Sequence, residues 1–223
     1  MPLVIAAHGS ADQRFADTVE LIAGRVRLLR SGLDVRVGFL EHGPPHLADV
    51  AAAGSVVVPL LLSSGYHVRV DLPEQVPGAR VARAVGPDPR LAEALAERLA
   101  EAGYDGRSPV VLAAAGSADE RALADVRSMA TLLAAQLGAD VTAAFVSAGE
   151  PRVADLVRPH AEHDHPGVVA SYLLAPGVFH DKLVALGADV VSAPIGDHPA
   201  VAQLLLDRYD DLADQTPGRT APA

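Results

Sequence analysis

The feature that most constrains this chain is that its pattern runs twice. Val4-Ile5-Ala6-Ala7-His8-Gly9-Ser10-Ala11-Asp12-Gln13-Arg14 returns as Val110-Val111-Leu112-Ala113-Ala114-Ala115-Gly116-Ser117-Ala118-Asp119-Glu120-Arg121. Gly38-Phe39-Leu40-Glu41-His42-Gly43-Pro44-Pro45 returns as Ala144-Phe145-Val146-Ser147-Ala148-Gly149-Glu150-Pro151. The stretch 60–65 is matched by 171–177, and Gly86-Pro87-Asp88-Pro89 by Gly196-Asp197-His198-Pro199, with offsets of 106 to 112 residues. A repeat of this size is read before any single motif, because it sets the architecture. It implies two similar domains, 1–105 and 106–209. Residues 210–223, with two prolines and one glycine, are expected to form a flexible tail.

Within each copy, short apolar runs alternate with helical patterns. In the first, strands are predicted over 3–7, 34–40, 55–62 and 80–85. Pro59 sits awkwardly in the third, since proline cannot donate to a ladder. Phe15, Val19, Ile22, Val26 and Leu29 fall on one helical face, as do Ala122, Val126, Met129 and Leu133 in the second copy. Ser10 with Gln13, and Ser117 with Glu120, have capping-box spacing. Pro45 suits the start of a short helix to about 52, and a longer one is predicted over 90–102. Alternating β and α segments imply an α/β fold: in each domain a parallel β-sheet with right-handed crossovers, flanked by helices, and a cleft between the domains.

Half of the 223 residues are hydrophobic, enough for a sizeable core, and cysteine is absent. That excludes disulfides, thiolate zinc sites and cysteine-ligated iron–sulfur clusters. No apolar run of about 18 residues occurs, which argues against a membrane span. The N-terminus enters a strand without a basic segment, so no signal peptide is expected and a cytoplasmic location is. A net charge of −10 argues against nucleic acid as a partner. No phosphate-loop motif is present.

The repeat also exposes what its copies do not share. His8 corresponds to Ala115 and Glu41 to Ser147; His67 corresponds to Phe179 or, with a one-residue slip, to His180. Glycine and serine at these turns survive in both copies and answer to backbone needs. His8 and Glu41 do not. Each of the three polar residues follows a different predicted strand of one sheet. Neighbouring strands lie about 4.8 Å apart, so their carboxyl ends can converge. Two imidazoles and a carboxylate suit a divalent metal with open positions left over. Histidine can also take a proton near neutral pH.

His8-Gly9-Ser10, Gly38-Phe39-Leu40-Glu41 with Pro45, and Val58-Pro59-Leu60-Leu61-Leu62-Ser63-Ser64-Gly65-Tyr66-His67-Val68 with Asp71-Leu72-Pro73 resemble the sirohydrochlorin chelatases, class II tetrapyrrole metal chelatases, in their two-domain form. The motifs cover the first 75 residues or so, and the duplicated layout covers the whole chain. The resemblance implies a lyase that inserts a divalent metal into sirohydrochlorin without ATP. Fe2+, giving sirohaem, is favoured; Co2+ on the cobalamin route is the alternative, and a non-catalytic metal or tetrapyrrole carrier a further one. The metal is a substrate, and no prosthetic group is implied. By resemblance His8 and His67 bind the metal, with one of them accepting a proton, and Glu41, the third member of the catalytic set, contacts the tetrapyrrole. Ser10, Leu62, Ser63, Ser64, Gly65, Tyr66 and Arg69 would contact the tetrapyrrole. Some members carry an acid immediately before the proline of the second motif; here that residue is Pro44. Monomer and homodimer are both compatible with the sequence.

Sirohydrochlorin carries eight carboxylates, so either Arg14, Arg69 and Lys182 supply a local positive rim or those carboxylates stay in solvent. His42 and His46 read as solvated residues. His160, His163 and His165, with Glu162 and Asp164, read as a polar surface loop or a secondary metal-loading site. A histidine phosphotransfer enzyme would want arginine directly before the first histidine, where this chain has Ala7.

Overall fold

The computed structural model describes residues 1–65, 72–157 and 166–214. The first half contains β1 (Leu3–Gly9), α1 (Gln13–Leu29), β2 (Val35–His42), α2 (Leu47–Val50), β3 (Val56–Pro59), α3 (Leu72–Gln75), β4 (Arg80–Val81) and α4 (Pro89–Glu101). The second contains β5 (Val110–Gly116), α5 (Glu120–Leu137), β6 (Val141–Ala148), α6 (Val153–Leu156), β7 (Val168–Tyr172), α7 (Val178–Ala185), β8 (Val190–Val191) and α8 (Pro199–Ala213). Two four-stranded sheets result, ordered β2-β1-β3-β4 and β6-β5-β7-β8, with every pairing parallel. The inner strands β1, β3 and β7 are buried on both faces, hence their continuous apolar runs.

One large core lies between the sheets and draws from both halves: Leu3, Ile5, Val58 and Ile22 with Leu112, Phe145, Leu133 and Leu205. Two smaller cores back the outer faces, around Val4, Leu47 and Leu72 on one side and Ala113, Val153 and Leu183 on the other. The last helix of each repeat serves the other repeat. Helix α4 packs on α5 and β7, and α8 packs on α1 and β3. Arg208, 2% exposed, fixes α8 by donating to Ala84 O (3.3 Å) and Asp88 Oδ2 (2.9 Å). Arg30 pairs with Asp210 at the surface, and Tyr209 donates to Met1 O.

Local chemistry differs from expectation at several points. Asp12 and Asp119, not Ser10 and Ser117, are the N-caps, accepting from Arg14 N and Arg121 N. The serines act one step earlier, each Oγ accepting the backbone N–H of the capping aspartate (3.1 and 3.0 Å). Leu29 ends the α1 face 54% exposed, while Val19, Ile22 and Val26 are fully buried. Helix α2 starts at Leu47 because the chain after β2 first turns back, with Phe39 N donating to Pro45 O. Pro59 closes β3 without losing a ladder bond. Leu60 N donates to Ala6 O, so the Pro59 nitrogen faces the opposite edge, where β4 has already ended at Val81. Strand β4 is likewise shorter than the 80–85 expected. Helix α8 continues through 210–213, four residues into the expected tail, held there by the Arg30–Asp210 pair.

Candidate active site

Strand order decides where a site can form. From β1 the chain moves outward to β2, then crosses back over β1 to β3. The ends of β1 and β3 therefore flank the point where the winding reverses, the usual ligand crevice of open parallel sheets. His8 is at the end of β1 and segment 60–65 leaves β3 at that crevice. The ends of β5 and β7 face it from the second half. Together they enclose a cavity of about 560 Å3 lined by His8, Ser10, Leu62, Ser63 and Gly65 on one side and Ala115, Ser117, Tyr172, Phe179 and His180 on the other. Its walls are mostly leucine, alanine and aromatic side chains with a few polar points, the make-up of an organic-ligand site.

The end of β1 is bent to present His8. Gly9 has φ +93°, and a Cβ there would lie 2.5 Å from His42 O. Glycine alone fits that backbone. The pairing with β2 slips at this point, running from Ala7↔Phe39 to Gly9↔His42. The half-buried imidazole of His8 meets Gly9 O through Nδ1 at 3.2 Å. A carbonyl only accepts, so Nδ1 carries the proton in that contact. In that tautomer Nε2, which faces Glu41, is the nitrogen with the lone pair, the one able to ligate a metal or take a proton.

Glu41 is on β2 and not in the turn after it, since the strand runs to His42. Its two oxygens stand 3.8 Å from His8 Nε2 and 3.8 Å from His42 Nε2, so the carboxylate lies between an imidazole at the cavity and an exposed one. Ser64 N donates to Asp125 Oδ2 (2.7 Å). His67, Tyr66 and Arg69 lie outside the described residues, as do His160, His163 and His165 with Glu162 and Asp164.

His180 also borders the cavity, with Nε2 3.1 Å from Ser192 O. That contact engages Nε2, whereas in His8 the engaged nitrogen is Nδ1. Arg14 is not the cationic rim expected for an anionic substrate. It donates to Asp12 and to Asp181 of α7, bridging the halves, and two carboxylates outweigh its one charge. These bonds hold both carboxyl groups below the usual range and raise the guanidinium further. Lys182 Nζ sits 5.7 Å from the ring of Phe179, a cavity-lining residue, but does not itself line the cavity.

The chain belongs to the CbiX family, whose model matches residues 2–102 and again 109–212, once per half. A sirohydrochlorin cobaltochelatase of Sulfurisphaera tokodaii is 34% identical over 112 residues, covering 44% of this chain and 91% of that protein. A sirohydrochlorin ferrochelatase of Bacillus subtilis is 27% identical over 212 residues, 85% of this chain and 80% of its own. Among solved structures, SirB from Bacillus subtilis with Fe3+ superimposes with a TM-score of 0.77 at 22% identity, over 96% of this chain and 98% of that one, and so shares the fold. The structure of CbiX from denitrifying bacteria, described as the terminal enzyme of sirohaem biosynthesis, matches with a TM-score of 0.72 at 25% identity, over 93% and 99% of the two chains.

Proposed function

We propose that this chain is a sirohydrochlorin chelatase: it inserts a divalent metal into sirohydrochlorin and releases two protons, with no nucleotide. The observation that carries the reading is His8, set at the sheet's switch point with Nε2 turned to Glu41, on a cavity walled by both halves. Metal insertion must strip water from M2+ and remove two pyrrole protons. His8 supplies a replacement ligand, and His67, at the matching place of the family motif, supplies another. Either imidazole in its neutral form, or Glu41, can take a proton from the ring. The net exchange is one M2+ for two H+, which balances the charge. Ser10, Leu62, Ser63, Ser64, Gly65, Tyr66 and Arg69 are assigned to the macrocycle, whose apolar body fits the cavity walls and whose carboxylates stay toward solvent.

Fe2+ is the favoured metal, giving sirohaem, in line with the ferrochelatase relative that spans most of the chain. The 34% identity to a cobaltochelatase supports Co2+ as the second reading. Two histidines and a carboxylate accept either ion. The test is anaerobic insertion into sirohydrochlorin with Fe2+, Co2+ and Ni2+ in turn, followed by the change in the tetrapyrrole spectrum. Many turnovers per protein without ATP are expected, fastest with Fe2+. A stoichiometric burst with no turnover would instead identify a carrier.

A further inference from the structure

The second half has Ala115 and Ser147 where the first has His8 and Glu41, yet among the described residues it is hydrogen-bonded to the first half's site at the segment leaving β3. That segment is tied on three sides. Gly86 N donates to Leu61 O at 3.2 Å, within the first half. Tyr172, at the end of β7, donates its hydroxyl to Leu62 O at 2.7 Å. Asp125 of α5 accepts Ser64 N at 2.7 Å. The fit is close: a Cβ on Gly86 would lie 2.5 Å from Leu62 O and 2.6 Å from the Tyr172 hydroxyl, and one on Gly65 would lie 3.4 Å from Ala122 Cβ of α5.

Both cross-half bonds are strong ones. The Asp125 bond is charge-assisted. Tyr172 is fully buried; burial first, then the charges of Asp125 and Asp88, push its phenol above the ordinary range, so it stays a donor. A donor and an acceptor from the second half thus hold two backbone groups of four consecutive residues. The chain continues from Gly65 to His67, two residues on in sequence.

We infer that Tyr172 and Asp125 are positioning residues: the second half clamps segment 62–65 and so fixes the point from which the chain proceeds to His67. The inference rests on the reading of His67 as a metal ligand. A histidine on an untethered loop would lose conformational freedom each time it captured an ion. Backbone bonds made in advance remove much of that cost.

The test uses the full chain with Co2+ as probe, read through its visible d–d bands, beside insertion kinetics and thermal unfolding. Tyr172→Phe removes only the hydroxyl, and Asp125→Ala only the acceptor. Each is expected to weaken Co2+ binding about tenfold and to slow insertion by a similar factor. Asp125→Asn, which keeps an acceptor oxygen, should restore most of it. Amide exchange in 62–65 should speed up in both clamp variants. In a His67→Ala background the same changes should cost less than twofold more, because the residue they position is gone. Wild-type Co2+ affinity in Tyr172→Phe and Asp125→Ala, or losses that multiply undiminished in His67→Ala, would overturn the clamp. Wild-type affinity in His67→Ala alone would overturn it by a distinguishable route, through failure of the ligand assignment.

Discussion

At the end of β1, Gly9 turns the chain at φ +93° and His8 faces Glu41 across 3.8 Å. At the end of β5, Gly116 turns it at φ +97°, with the same slip in register, and Ala115 stands where His8 does. There Ser147 occupies the place of Glu41 and donates its hydroxyl back to Ala115 O at 2.6 Å. The first half ends its strands on polar side chains at and beside the cavity; the second closes the same backbone on itself. The fold's device for aiming a side chain into the crevice is present in both copies. Only the side chain decides whether there is chemistry. The second half's contribution runs through other residues, Tyr172 and Asp125 at the β3 exit and α8 across the first sheet.

The helix starts allow the strongest break in this symmetry. Asp88 caps α4 and holds the buried Arg208, while His198 caps α8 and meets Glu97 at the surface. Asp88→Ala leaves a buried guanidinium unpaired and should cost about 3 kcal/mol in urea unfolding. His198→Ala should cost about 1 kcal/mol, the usual value of a lost cap. Burial works against the Asp88 charge, but hydrogen bonds from Arg90 and Arg208 outweigh it and lower its pKa. The sign follows. A carboxyl with a lowered folded pKa stabilises fully above its unfolded value, about pH 4, and loses that contribution as pH falls through the folded one. The gap between wild type and Asp88→Asn should therefore narrow as unfolding is measured below pH 4. A gap that widened there would reverse the assignment.

Glu41→Gln should slow insertion about tenfold, less than loss of a ligand would, since the amide keeps the shape beside His8 and loses only the charge and basicity. Rates equal to wild type would reduce Glu41 to a solvated strand residue. The smallest effect belongs to its counterpart. Ser147→Ala removes one exposed hydrogen bond, so it should cost about 1 kcal/mol or less and leave insertion untouched. A large loss of activity there would mean that the second strand end does take part.

Much of this was legible in the sequence because it is written locally. The repeat, the parallel strands and the faces through Val19, Ile22 and Met129 all follow from residue spacing. His8 and Glu41 stood out because their partners in the second copy are Ala115 and Ser147. What spacing could not show is contact between distant segments. Nothing around Leu95 or Leu205 marks a helix that packs on the other repeat's sheet. Asp125 reads as an ordinary polar helix position and Tyr172 as a core aromatic; their bonds to Ser64 N and Leu62 O exist only in three dimensions. Ser10 misled for a physical reason: serine and aspartate both cap helices, and here the serine supports the aspartate that does. Arg14 misled because charge was counted without its partners, Asp12 and Asp181.

The central claim is that one half does the chemistry and the other shapes the space around it. Anaerobic metal insertion by His8→Ala and His180→Ala, side by side with wild type and with folding verified by thermal unfolding, tests it most directly. Both histidines border the same cavity, one from each half. A loss of about 10²- to 10³-fold is expected for His8→Ala, on the scale of a lost ligand or proton acceptor. A change of no more than about threefold is expected for His180→Ala, whose Nε2 is bound to Ser192 O. An inactive His180→Ala beside a fully active His8→Ala would contradict the central claim.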